Sequence, residues 1–128
     1  MKTDLIDGLI VGRVEPHIYA FSTETVPNYL KVGDTYRPVQ VRLGEWSAVF
    51  PDLKERYCGV AKVNDDVYFR DHAVHRFLEE RRHRARLRKD DLPGLPRYSR
   101  EFFRDATVED IGLAVDDIRA AYDNGGAG

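Results

Sequence analysis

One cysteine, Cys58, is all that 128 residues offer, so no disulfide can form within the chain. Such a chain fits a reducing cytosol, and the apolar-leaning run Tyr57–Val63 around Cys58 predicts a buried structural thiol. Long apolar runs are missing too. None approaches the roughly 20 residues that a membrane span needs, and Met1-Lys2-Thr3-Asp4 lacks the basic-then-apolar layout of a secretion signal. A cytoplasmic location without membrane contact is the expectation. Charge of one sign is also lacking: 20 lysines and arginines stand against 22 acidic residues, a formal net charge of −2. A surface that grips a polyanion all round is therefore excluded. A zinc site is not indicated either, because His72, His75 and His83 fall on different faces of a helix and Cys58 has no second cysteine beside it.

What is present describes a globular domain: 42% apolar and 33% charged residues, in a length suited to one core and too short for two. The charge is unevenly spread. Between Arg76 and Lys89 lie Arg76, Arg81, Arg82, Arg84, Arg86, Arg88 and Lys89, opposed only by Glu79 and Glu80, whereas Glu101 to Asp123 is acidic. A local basic face can attract phosphate although the total is near neutral. Residues 1–14 read as an N-terminal extension packing on a domain that spans 15–123. The end, Asn124-Gly125-Gly126-Ala127-Gly128, reads as a flexible tail or linker to a fused module.

The expected architecture is α+β, a small antiparallel sheet of about three strands flanked by helices. His17-Ile18-Tyr19-Ala20-Phe21 and Tyr29–Val32 carry strand-forming residues, and the short loop between them predicts antiparallel pairing. Pro38 suits the first turn of a helix over Arg37–Ser47, with Val39, Leu43 and Trp46 inward and Pro51 as its limit. Trp46 reads as core. Tyr57–Val63 is a third strand and Asn64-Asp65-Asp66 a turn. Asp71 to about Arg88 reads as one long helix with Val74, Phe77, Leu78 and Leu87 inward and its arginines outward. Residues 90–99, with Pro93, Gly94 and Pro96, form an exposed loop, and Glu101-Phe102-Phe103 a buried anchor. Thr107 and Asp110 resemble a capping pair for a last helix that buries Ile111, Val115 and Ile118 and ends near Tyr122.

Several residues stand in an order with chemical meaning: His17-Ile18-Tyr19, Lys31-Val32-Gly33 with Thr35, Arg42 nine residues after the glycine, and Asp71 four residues before His75. Together they resemble the GIY-YIG nuclease superfamily, in its phage-type branch. Members carry a Gly-Ile-Tyr strand, a Tyr-Ile-Gly or Lys-Ile-Gly strand, an arginine on the next helix and a later carboxylate. Here histidine takes the first glycine's place, and aspartate stands where many members have glutamate. The resemblance covers roughly residues 16–120, closing on Glu101-Phe102-Phe103 as a Glu-Trp-Phe-like anchor. It implies a DNA endonuclease using one Mg²⁺ or Mn²⁺ ion, serving phage defence, restriction or DNA processing, in a domain often fused to helicase or restriction modules.

Phosphodiester hydrolysis needs an activated water, neutralised phosphate charge and a stabilised leaving oxygen. The implied catalytic set is Tyr19, Lys31, Arg42 and His75. Tyr19 is the base; a free phenol titrates near 10, and Lys31 is placed to favour its anion. Arg42 offers a planar fork for phosphate, and Asp71 a hard oxygen for the metal, with Glu79 as the fallback carboxylate. His75, one helical turn after Asp71, orients that carboxylate or shuttles a proton. Arg37, Arg76, Arg81, Arg82 and Arg86 are the expected nucleic-acid contacts, with Arg37, Tyr29 and Tyr36 either contacting DNA or supporting the site; a solvated helix face is the plainer use of the arginine run. Gly33 and Thr35 are structural, Thr35 either capping the Arg42 helix or holding backbone at the site. Asp71 also has a plainer use, as cap of the helix it begins. Two other classes of function compete: a nucleic-acid-binding module with weakened catalysis, and an interaction domain attached to a helicase-like protein.

Overall fold

The computed structural model describes residues 15–123; the extension at 1–14 and the tail at 124–128 lie outside the described residues. Strands β1 (His17–Ser22) and β2 (Tyr29–Thr35) pair antiparallel as expected, His17 facing Thr35 and Tyr19 facing Gly33. The main sheet has four strands, one more than the sequence suggests. Its order is β3-β1-β2-β6, with β3 at Lys54–Val60 and β6 at Phe102–Arg104, antiparallel throughout. The expected third strand therefore begins three residues early and stops at Val60. Ala61 donates to the Pro16 carbonyl and accepts from Phe69, and this turns the chain into the hairpin β4 (Lys62–Asn64) and β5 (Val67–Tyr68). The Asn64 side chain accepts from the Asp66 amide, as a turn requires. Cys58 is exposed on β3, not buried: that strand forms one edge of the sheet, and the thiol faces outward.

Strict alternation along β1 and β2 divides the core in two. Ile18, Ala20, Leu30 and Val32 point to α2 (Asp71–Glu80) and α3 (Val108–Ala121), meeting Val74, Leu78, Ile111 and Ala114. Tyr19 and Phe21 point the other way, to α1 (Val39–Ser47), where Leu43, Trp46, Phe50 and Phe102 close an aromatic cluster. Trp46 and Phe50 stack 5.9 Å apart, and Phe21 sits within 6.2 Å of both. Each such ring contributes roughly 1.5–3 kcal/mol by burial. Helix α1 starts two residues later than expected, with Pro38 as its N-cap. Thr107 and Asp110 form the reciprocal capping box of α3.

Helix α2 is much shorter than the sequence suggests. It ends at Glu80, and residues 81–88 are not helical. Arg82 and Arg84 donate back to the Phe77 and Leu78 carbonyls, His83 turns left-handed (φ 56°), and Arg86 bridges to Phe103. Leu87 then donates to Phe102 and is buried in the α1-side core. The arginines at 82, 84, 86 and 88 recur every second residue, the period of extended chain and not of a helix. Among the described residues no helix is long and apolar enough to cross a membrane.

Candidate active site

The cross-strand pairing of Tyr19 with Gly33 sets the site's geometry. A Cβ at residue 33 would lie 2.7 Å from the Tyr19 hydroxyl and 2.8 Å from Lys31 Nζ, so these two side chains fill the notch that glycine leaves. Lys31 is fully buried; its ammonium donates to Tyr19 Oη at 3.1 Å and to Glu101 Oε1 at 2.6 Å. From α1, the Trp46 indole Nε1 donates to the same phenolic oxygen at 3.0 Å. Tyr19 itself is only 1% exposed.

Helix α1 also carries Arg42, one turn before Trp46. Its guanidinium lies over the Trp46 ring and donates to Glu45 Oε1 at 2.9 Å. Burial works against the Arg42 charge, but interactions with Glu45 and Tyr19 outweigh it and raise its pKa. Arg37 sets its fork on both Glu45 oxygens at 2.8 Å, and the bonds from Arg37 and then Arg42 hold that carboxyl down to about 2. Thr35 does not cap α1. Its hydroxyl receives the Arg37 amide and thereby fixes the turn into the helix.

The second half of the site forms where α2 begins. Asp34 of β2 accepts the Asp71 amide at 2.9 Å and the Arg70 guanidinium at 2.6 Å, so it is Asp34 that serves the helix start. The Asp71 carboxyl is left for other work. Asp71, His75 and Glu101 each bring a ligand atom within 4.8 Å of the others. Burial first, then the charges of Asp34 and Glu101, push the Asp71 carboxyl up to about 7. Glu101 shifts the opposite way: burial opposes its charge, but Lys31 and the bond from Asp71 keep it ionised. Below about pH 7 the Asp71 carboxyl keeps its proton and can donate it to the Glu101 carboxylate. His75 is buried against Phe103, and its Nε2 donates to the Val32 carbonyl at 2.8 Å. That nitrogen stands 4.0 Å from Asp71 Oδ2 and carries its proton, so it cannot bind a metal. Burial accordingly lowers the His75 pKa and keeps the ring neutral. Asp71 and Glu101 supply the hard oxygen donors for a divalent ion.

Tyr19, Lys31, Gly33, Arg42, Asp71 and His75 thus gather along one line: Trp46 to Tyr19, to Lys31, to Glu101, to Asp71. Arg37 lies at its rim. The basic run does not form a single outward face. Arg82 and Arg84 both bond the fully buried Asp110 at 2.8 Å, Arg81 pairs with Asp117, and Arg86 pairs with Glu79 and covers the Phe103 ring. Arg76 is exposed on α2, and Glu79, the fallback carboxylate, is spent on Arg86. His17, in the place of a glycine, bonds the Glu15 carbonyl at the start of β1. Sequence reasoning missed Glu101, Asp34 and the indole N–H of Trp46. The signal for Glu101 was its place beside two phenylalanines: they enter the sheet as β6 and bring the carboxylate next to Lys31.

A family model described as the T5orf172 domain matches residues 16–122. No curated protein and no solved structure matches the chain.

Proposed function

The chain belongs to the T5orf172 domain family, and from that premise we propose that it is a nuclease domain of GIY-YIG type that hydrolyses phosphodiester bonds in DNA. The observation that carries this reading is the Tyr19 hydroxyl, held by Lys31 Nζ and Trp46 Nε1 in the notch of Gly33, with Arg42 on the same indole. In its deprotonated form Tyr19 accepts the proton of the attacking water, and the two N–H donors fix the direction of its oxygen. The Arg42 fork pairs with non-bridging phosphate oxygens, exchanging Glu45 for the substrate. Asp71 and Glu101 fit a divalent cation such as Mg²⁺ or Mn²⁺, their oxygens lying within 4.8 Å of each other. When bound, that ion supplies charge neutralisation at the phosphate and the leaving oxygen. His75 holds the β2 backbone at Val32 against α2 and so positions Lys31 and Asp71. Phage defence, restriction or DNA processing is the setting we propose, with a fused helicase or restriction module as a partner.

One observation favours the reading as a binding module: Tyr19 and Lys31 are sealed from solvent, at 1% and 0% exposure, so water reaches the phenol only if the site opens. Incubation with supercoiled plasmid decides between them. Metal-dependent nicking that disappears in Tyr19→Phe and Arg42→Ala establishes the enzyme. Salt-sensitive DNA binding without nicking in the wild type establishes the binding module. No binding at low salt leaves the interaction domain.

A further inference from the structure

Three cations converge on the Trp46 indole: Lys31 Nζ 4.5 Å from the ring centroid, and the guanidinium carbons of Arg42 at 5.5 Å and Arg97 at 5.1 Å. The first two have carboxylates, Glu101 and Glu45. Glu45 is shared with Arg37, so its single charge serves two guanidiniums. Arg97 has no carboxylate partner among the described residues, although it is exposed and stands beside this cluster. Lys31, Arg42, Arg97 and Arg37 together set four cations against two carboxylates, Glu101 and Glu45, and the surplus positive charge around Trp46 favours an anion.

The segment bearing Arg97 is anchored. The loop at residues 90–99 was expected to be exposed, yet Leu92, Leu95 and Tyr98 pack against the α1-side core. The Tyr98 hydroxyl donates to the Leu87 carbonyl at 2.9 Å, and Asp91 accepts the Arg88 amide. Pro96 fixes the backbone torsion immediately before Arg97. A flexible surface arginine gains little from a single contact; one held over an indole between packed neighbours is preset for its ligand.

We infer that Arg97 is a DNA-phosphate-binding residue of this site, a second fork beside Arg42 that grips the backbone next to the scissile ester. The inference rests on the nuclease reading and extends it to a loop outside the motif residues. A phosphodiester suits the place because its oxygens match the planar guanidinium and its charge offsets the surplus at Trp46. The test is fluorescence anisotropy with a short labelled DNA duplex in EDTA across a sodium chloride series. Arg97→Gln should weaken binding roughly tenfold at low salt and reduce the salt slope by about one. Arg97→Lys should restore the slope while recovering only part of the affinity. Arg119→Gln, the same charge change on α3 across the sheet, should match the wild type. Unchanged affinity and slope in Arg97→Gln, with a wild type that binds, would overturn this inference and leave the nuclease reading standing. A wild type that does not bind DNA overturns both.

Discussion

At Gly33 a hydrogen stands where any other residue would put a carbon, and the space so freed is taken by a phenol oxygen and an ammonium. Both belong to buried side chains with little room to give way. Gly33→Ala is therefore expected to cost about 1–3 kcal/mol through overpacking and to abolish nicking, measured by chemical denaturation and the plasmid assay. Trp46 does two jobs at once, filling the aromatic cluster and donating its N–H to Tyr19. Trp46→Phe keeps most of the first and deletes the second. It should lower stability by about 1 kcal/mol for the lost hydrogen bond, plus the volume removed, and cut the nicking rate at least tenfold. An unchanged nicking rate in a folded Trp46→Phe would show that the indole N–H has no part in the chemistry. At this scale the sequence was informative about identity: a tyrosine, lysine, glycine and arginine in order. It was silent about what Asp34 and Glu101 bond to, because their partners, Asp71 and Lys31, are remote along the chain.

Among the elements, the start of α3 and the end of α2 are one device. Asp110 closes the capping box with Thr107 and, fully buried, receives Arg82 and Arg84 as they leave α2. Burial opposes its charge, but the bonds from Arg84, the Thr107 amide and Arg82 hold its pKa down. Asp110→Ala should cost on the order of 3 kcal/mol, since it strips two guanidiniums of their acceptor and uncaps a helix; thermal melting measures it. Charge reversal of Arg82 would set a carboxylate against Asp110, so its first effect is on folding and not on DNA. Arg81, Arg82 and Arg84 of the basic run therefore serve the α2–α3 junction. The run's alternation at 82, 84, 86 and 88 matches the extended chain found there, but the stop itself is fixed by Asp110, 26 and 28 residues further on, which holds Arg84 and Arg82.

For the molecule as a whole, the proton on Asp71 ties stability to pH and to metal. Its folded pKa near 7 exceeds its ordinary 3.8, so the native state holds a proton that the unfolded chain releases. The associated stability is fully present below about pH 4 and is lost as pH rises through 7, at roughly 1.4 kcal/mol per unit. Lys31 acts against this shift, Asp34 and Glu101 with it. Asp71→Asn should melt above the wild type at pH 8 in EDTA and should lose any stabilisation by Mg²⁺. In the wild type, Mg²⁺ should raise the melting temperature more at pH 8 than at pH 5.5, because at the lower pH protons compete for the same oxygen.

The residues alone determined the α+β class, the β1–β2 pairing and the faces of α1 and α3, because period, capping and turn residues act over a few positions. Only the tertiary structure decided where α2 stops, that a fourth strand carries Glu101 to Lys31, and that Asp34 frees the Asp71 carboxyl. Those outcomes depend on contacts 26 to 70 residues apart, down to the single Lys31–Glu101 bond. No local pattern encodes such distances; burial and charge settle them when the sheet closes.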